Sequence, residues 1–186
     1  IPFVGEFNLG LFFIPVFVGI MAFLFSSGVI DGLDGLAGGI MTIIFSAYTV
    51  IAFAQNQIDL ATFCGAITGG LLAFLWFNIP PARFYMSETG ILGLTTTLTV
   101  VAFLTDSVIP LFIIALPLVA TVLSVMIQLG SKKLRQGKKV FLVAPLHHHF
   151  EAIGWPAYKV VMRYWIIGII FAIIGIIITL VGGPKF

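Results

Sequence analysis

The stretch Ala144-Pro-Leu-His-His-His-Phe-Glu151, followed closely by Gly154 and Trp155, contains all three histidines of this 186-residue chain. It lies in the longest polar segment of a sequence in which 60% of the residues are hydrophobic and only 9% are charged. A soluble domain carries about a quarter charged residues. The composition therefore predicts an all-α, polytopic integral membrane protein whose apolar helices are interrupted here by a polar loop.

The polar segment from residue 131 to residue 160 is strongly basic and contains one acid, Glu151. Its cations are Lys132, Lys133, Arg135, Lys138, Lys139 and Lys159. We predict that this segment is a basic cytoplasmic loop carrying the histidine motif, because clustered Lys and Arg hold a loop on the cytoplasmic side. The same charges suit a phosphorylated substrate, although charge alone favours the topological interpretation.

Six segments are apolar and long enough, or nearly so, to cross a bilayer, which takes about 20 residues. They are 9–27, 35–54, 61–77, 90–104, 109–129 and 161–181. The fourth segment is short, and Pro15 and Pro117 predict kinks inside the first and the fifth. We interpret residues 1–186 as one transmembrane domain.

The distribution of charge orients these spans. Eight of the nine Lys and Arg residues, all but Lys185, fall at one set of helix ends, which we predict to be cytoplasmic. Both termini then lie outside, with Glu6, Asp59 and Asp106 on the outer side. The reactive groups collect at the cytoplasmic ends, so we predict that three loops converge on one cleft. The single cysteine, Cys64, excludes a disulfide framework.

The sequence Asp31-Gly-Leu-Asp34-Gly joins the first two predicted spans. Two carboxylates near a membrane are costly unless they are solvated, paired or bound to a metal. Asp34 is equally well explained as the N-cap of the second helix, whereas Asp31 has no such structural role. Calcium-binding loops share this pattern, but the remaining ligands of an EF-hand are missing here.

A second motif runs from Asn78 to Gly90 and contains Pro80 and Pro81, which predict a rigid, non-helical approach to the fourth span. Glu88 either complements the dipole of that helix or serves as a hard oxygen ligand for Mg²⁺. Taken alone, the dipole interpretation is favoured.

The three adjacent histidines cannot all face the same way on a helix or a strand. One or two of them can therefore meet a single ligand, while a third fixes the loop. Neutral histidine binds metals or carries protons, and protonated histidine binds phosphate.

In this order, the motifs resemble the phospho-MurNAc-pentapeptide translocase family (MraY) of the polyprenyl-phosphate N-acetylhexosamine-1-phosphate transferase superfamily. The matching pieces are the Asp31 motif, the segment from Asn78 to Gly90, Gln128-Leu-Gly-Ser131, and the histidine motif, which is the most specific. The resemblance implies that the six spans correspond to the last six of a ten-helix fold. It also implies transfer of phospho-MurNAc-pentapeptide from UDP to undecaprenyl phosphate in a bacterial inner membrane, giving lipid I and UMP with Mg²⁺ as cofactor.

The resemblance assigns a role to residues in each motif. The implied catalytic residues are Asp31, Glu88 and His147, and Glu88 is the implied magnesium ligand. The implied substrate contacts are Leu33, Asp34, Asn78, Tyr85, Gln128, His148 and His149. Tyr85 stands where the family has a Phe that stacks on uracil.

The chain also departs from the family pattern. Glu88 replaces an Asp, Gly28-Val-Ile precedes Asp31 where the family has Asn-Leu-Thr, and no adjacent Asp-Asp pair occurs in these 186 residues. We therefore expect this chain alone to be incomplete for catalysis. The alternatives are a related transferase for another UDP-sugar and a non-catalytic membrane remnant or scaffold. We expect UDP-MurNAc-pentapeptide, undecaprenyl phosphate and the bilayer as partners and no nucleic acid, and the question of a homodimer stays open.

Overall fold

The computed structural model describes residues 9–182, which fold into α-helices joined by loops and short 3-10 turns. The helices are α1 (Phe13–Ser26), α2 (Leu36–Ala54), α3 (Ile58–Asn78), α4 (Glu88–Leu104), α5 (Val108–Ile114), α6 (Leu116–Leu134), α7 (Leu146–Ala152) and α8 (Ala157–Gly182). The predicted all-α fold is confirmed, since no strand occurs between residues 9 and 182. Glu6, Lys185 and the predicted outer placement of both termini lie outside the described residues.

Four helical segments of the described chain are long and apolar enough to span a membrane. They are Gly10–Ile30, Leu36–Ala54, Ile58–Asn78 and Ala157–Gly182. The fourth predicted span forms α4, which is apolar but shorter at 17 residues. All six predicted segments are therefore apolar and mainly helical, as expected for a polytopic membrane protein.

The fifth predicted span is not one continuous helix, because α5 and α6 are separate helices bent by 82°. The break falls at Ala115, and α6 begins with Pro117 in its first turn. Proline lacks the backbone N–H that would continue the ladder of α5, so the predicted kink at Pro117 is a complete break. Pro15, by contrast, lies in the first turn of α1, where a backbone N–H has no acceptor within that helix.

The bend has a geometric consequence for the membrane. Two helix axes 82° apart cannot both follow the bilayer normal, so at least one of α5 and α6 is tilted by half that angle or more. Spanning helices are tilted by about 20° on average, with a range of about 0–40°. This pair therefore differs from a regular span.

The centre of the bundle is α2, which packs against α3 and α8. In its apolar window 72% of the residues are buried, against 17% in α3 and 22% in α8. Gly39 on α2 lets α8 come close, because a Cβ at this position would overlap the Trp165 indole. The indole N–H of Trp165 donates to the Gly35 carbonyl at 3.1 Å. The start of α2 is thus fixed against α8, and the loop before it has a defined position.

Candidate active site

The loop between α1 and α2 carries Asp31 and Asp34 and ends at Gly35, which has a φ of 79°. This left-handed conformation favours glycine. The interpretation of Asp34 as the N-cap of α2 is wrong, because Gly35 occupies that position and no side chain caps the helix. Asp34 Oδ2 instead accepts a hydrogen bond from the Ala82 N–H at 3.0 Å, which ties this loop to the one between α3 and α4.

Asn78, the last residue of α3, connects the same two loops. Its side chain is buried, Oδ1 accepts from the Gly35 N–H at 3.0 Å, and Nδ2 donates to the Phe84 carbonyl at 2.7 Å. Both polar ends of the amide are therefore engaged within the protein. The structure gives Asn78 a part in holding the loops together, while a contact between Asn78 and substrate stays a prediction.

The three histidines lie on α7, a two-turn helix whose start is fixed by α6. The buried Ser124 hydroxyl accepts from the Leu146 N–H at 3.0 Å and donates to the Thr121 carbonyl at 2.6 Å. Sequence reasoning missed Ser124, although it lies one helical turn before Gln128, which the motif includes.

Two of the histidines reach the loop between α1 and α2. A Cβ placed on Gly32 would lie 2.7 Å from Nε2 of His147 and 2.8 Å from Nε2 of His148. Both distances are too short for a side chain, so only glycine lets the chain pass at this point. The loop that carries Asp31 and Asp34 therefore meets the histidine motif, as predicted.

Each histidine has its own environment. His147 is fully buried, and neither of its ring nitrogens has a hydrogen-bond partner among the described residues. Burial, together with the neighbouring His148, lowers the pKa of His147 to about 4, so its ring is neutral near pH 7. Nδ1 of His148 lies 2.6 Å from Oε2 of Glu151. Nδ1 of His149 accepts from the Leu142 N–H at 3.2 Å, so one histidine of the three fixes the loop, as expected.

Asp31 is half-buried beside a second acid. Burial raises the pKa of the Asp31 carboxyl, and the charge of Asp34 raises it further. Both effects disfavour the ionised form of this carboxyl, and a nearby cation would offset both.

Glu88 is the first residue of α4 and is exposed. The first turn of α4 packs against the 3-10 turn that leads to Asp31, since a Cβ on Gly28 would lie 2.9 Å from Cγ2 of Ile91. The segments that carry Asp31 and Glu88 are therefore neighbours at one end of the bundle. Tyr85, on the loop just before α4, is 72% exposed and presents its ring to solvent.

The donor groups at this end of the bundle suit a hard cation. Between residues 9 and 182, no three side chains of His, Cys, Asp or Glu are grouped as a complete metal-binding set. Mg²⁺ needs no such set, because it binds one or two carboxylates and takes its other ligands from phosphate and water. The exposed Glu88 carboxylate and the mutually repelling Asp31 and Asp34 fit a magnesium ion bound together with a phosphorylated ligand.

Gln128 holds the basic loop against α6. Its Oε1 accepts from the N–H groups of Val140 and Phe141, both at 3.0 Å, and its Nε2 donates to the Phe141 carbonyl at 2.9 Å. A cavity of about 230 Å³ lies beside it, with Lys132 and Lys139 in its walls. Gln128 is thus the anchor of this loop, and a contact with substrate stays a prediction.

A second contact that the sequence did not reveal joins α7 to α8. Trp155 stacks on Phe150 with ring centroids 4.8 Å apart, and the Arg163 guanidinium lies 3.9 Å from the Trp155 ring. Such cation–π contacts are favourable, and this one fixes the far end of the histidine helix. The cations Lys159 and Arg163, near the start of a mostly apolar helix, were the signal available in the sequence.

Together, apolar spans with acids, histidines and lysines at one end define a polytopic membrane protein with a candidate site for a phosphorylated ligand. The chain belongs to glycosyl transferase family 4, whose family model matches residues 1–106.

Curated relatives named phospho-N-acetylmuramoyl-pentapeptide-transferase match the chain and confirm the resemblance seen in its motifs. The Chloroflexus aurantiacus protein is 43% identical over 193 residues, covering 100% of this chain and 53% of the relative. The Listeria innocua protein is 43% identical over 183 residues, covering 97% of this chain and 56% of the relative. The Geobacillus thermodenitrificans protein is 45% identical over 148 residues, covering 80% of this chain and 45% of the relative. The chain spans about half the length of the curated relatives it matches.

Proposed function

We propose that the protein transfers phospho-MurNAc-pentapeptide from UDP to undecaprenyl phosphate, giving lipid I and UMP. The observation that carries this proposal is that the loops bearing Asp31, Glu88 and the histidine motif meet at one end of a membrane bundle. The names of the relatives support the same reaction. A bacterial plasma membrane with these loops on the cytoplasmic side is part of the proposal, supported by the placement of Lys and Arg.

In the proposed reaction, an oxygen of the acceptor phosphate attacks the sugar-linked phosphorus of the donor. The bond from that phosphorus to the bridging oxygen breaks, and UMP leaves with both bonding electrons. Catalysis of such transfers rests mainly on positioning and on neutralising charge. Glu88 would hold Mg²⁺, which supplies positive charge at the diphosphate when bound. In this proposal, Asp31, on a loop fixed by its neighbours, orients the reacting phosphates.

The remaining assigned residues supply contacts for the donor in this proposal. Tyr85 has an exposed ring suited to stacking on uracil, and Leu33, Asp34 and Asn78 lie on the adjoining loops. His147 is buried and neutral with both nitrogens free, and His148 lies beside it, so each ring can donate a hydrogen bond through its N–H to a phosphate oxygen. His149 and Gln128 keep the neighbouring loop in place, and a contact of either side chain with the donor stays a prediction.

Magnesium-dependent binding of UDP to the purified chain in lipid nanodiscs tests this proposal. We expect Glu88→Ala and Asp34→Ala to weaken binding, because they remove oxygen ligands at the site. Asp59→Ala is the control, since Asp59 lies in the first turn of α3, at the opposite end of that helix from Asn78. Absence of magnesium-dependent binding, or an equal loss in the control, would contradict the proposal.

Competition between donors tests the substrate. We expect UDP-MurNAc-pentapeptide to displace UDP at lower concentration than UDP-GlcNAc does. The reverse order would favour the related transferase for another UDP-sugar.

A further inference from the structure

The segment formed by the last residues of α6 and the chain that follows it, residues 132–143, exposes several apolar side chains. Their exposed fractions are 83% for Leu134, 49% for Val140, 56% for Leu142 and 43% for Val143. The proposed reaction gives these side chains no role. We name this segment the surface loop.

The backbone of the surface loop is held from inside by polar side chains of α6 and α7. The Ser131 hydroxyl donates to the Lys138 carbonyl at 2.9 Å, and Gln128 bonds the backbone at residues 140 and 141. His149 accepts from the Leu142 N–H. Because the backbone is bound on its inner side, the fold directs the apolar side chains outward.

Unpaired cations surround these apolar side chains. All of the following are exposed: Lys132, Lys133, Arg135, Lys138 and Lys139. Within residues 9–182, the ion pair of the structure is between His148 and Glu151, so none of these five cations has a carboxylate partner. The loop is also continuous with the apolar α6. Apolar groups interleaved with Lys and Arg beside an apolar helix are typical of segments that bind acidic lipid surfaces.

We propose that the surface loop inserts its apolar side chains among the headgroups of the adjoining leaflet, and that its cations bind acidic phospholipids there. The charge of the loop identifies the partner as an anionic bilayer. Each cation near such a surface favours the bound state about fivefold. Since Gln128 and His149 connect the loop to α6 and α7, the lipid surface also helps to position the histidine helix.

A fluorescent probe on the loop tests this proposal. In a Cys64→Ala background, Leu142→Cys is labelled with an environment-sensitive dye and placed in nanodiscs of phosphatidylcholine, with or without phosphatidylglycerol. With phosphatidylglycerol, we expect strong quenching by a headgroup-labelled lipid and weak quenching by acrylamide in the water. In phosphatidylcholine alone, we expect acrylamide quenching to be several-fold stronger.

Two charge variants separate this effect from a general effect of membrane composition. The first variant changes four lysines to Gln: Lys132, Lys133, Lys138 and Lys139. It should abolish the difference in acrylamide quenching between the two lipid mixtures and leave the melting temperature unchanged. The second variant, Lys159→Gln, lies beside the Trp155 ring and outside the surface loop. It should preserve the difference in quenching between the two lipid mixtures.

Three outcomes overturn the proposal. The first is equal acrylamide access in both lipid mixtures, and the second is an unchanged lipid preference in the four-lysine variant. The third is complete shielding of the probe by UDP and magnesium in phosphatidylcholine alone, which would assign the loop to a soluble ligand. The proposed transferase activity can fail without affecting any of these readings.

Discussion

Replacing Gly32 by Ala tests the contact between the acidic loop and the histidine helix. The added Cβ would lie 2.7 Å from Nε2 of His147 and 2.8 Å from Nε2 of His148, whereas ordinary contacts begin at 3.4 Å. The rings or the loop must therefore withdraw by about 0.7 Å and 0.6 Å, the differences between these distances. His147 cannot move freely, because it is fully buried on a helix fixed by Ser124.

The size of the effect follows from how the strain is relieved. Overpacking a buried site costs about 1–3 kcal/mol, and the exposed position of Gly32 lets the loop absorb part of the strain. We therefore expect a strain at the lower end, about 1 kcal/mol. If the loop relieves this strain in the free protein and must return to its original position to bind UDP with magnesium, the affinity falls by about fivefold. The ¹⁵N signals of His147 and His148 should shift even without ligand.

The measurements are a titration of the nanodisc-embedded protein with UDP and an NMR spectrum with labelled histidine. Gly130→Ala on α6 is the matched control, because no atom lies within 4 Å of its added Cβ. Unchanged histidine signals in Gly32→Ala would refute the reasoning, since the loop could not then lie against the two rings. If the histidine signals change but the affinity for UDP does not, the contact between the loop and the two rings is supported, but its effect on nucleotide binding is contradicted.

Asn78→Ala leaves the buried Gly35 N–H and the partly buried Phe84 carbonyl without partners, so the free energy of unfolding should fall by about 1–3 kcal/mol in a denaturant titration. Tyr85→Ala, on the exposed part of the same region, should change it by less than about 0.5 kcal/mol. The raised pKa of Asp31 means that the folded state holds this proton more tightly than the unfolded state, so stability falls as pH rises from 3.8 through the raised value. Asp31→Asn should remove the dependence of the melting temperature on pH across that range. If the slope of melting temperature against pH is unchanged, another group is responsible. Glu151→Ala removes the acceptor at Nδ1 of His148, so ¹⁵N spectra should show a mixture of ring tautomers, and a single unchanged tautomer would contradict the role of Glu151.

Much of the fold follows from the length and composition of the apolar segments, because a bilayer requires a fixed length of helix. The break at Ala115 could be predicted only in part. Pro117 marks where a helix is interrupted, but the angle depends on how α5 packs against α8. There a Cβ on Gly175 would overlap the Ile114 side chain, a contact between residues 61 positions apart.

The candidate site shows the same division between local and long-range signals. The motifs predict which loops meet, since their residue types suit one phosphorylated ligand. Asp34 and Asn78 each accept a hydrogen bond from a backbone N–H on another loop, 48 and 43 residues away. Because every residue type except proline has this backbone group, the sequence gives no sign of which residue is the partner. The full burial of His147 was likewise hidden, because three identical neighbours give no sign of which one faces inward.

The bend between α5 and α6 also bears on how the described helices fill the bilayer. With 19 residues, α6 is about 28 Å long. If α5 follows the bilayer normal, the 82° bend lays α6 almost flat in one leaflet, where it takes up more area than in the other. We would then expect the chain to favour bilayers curved to match, and its distribution between flat and curved liposomes measures this.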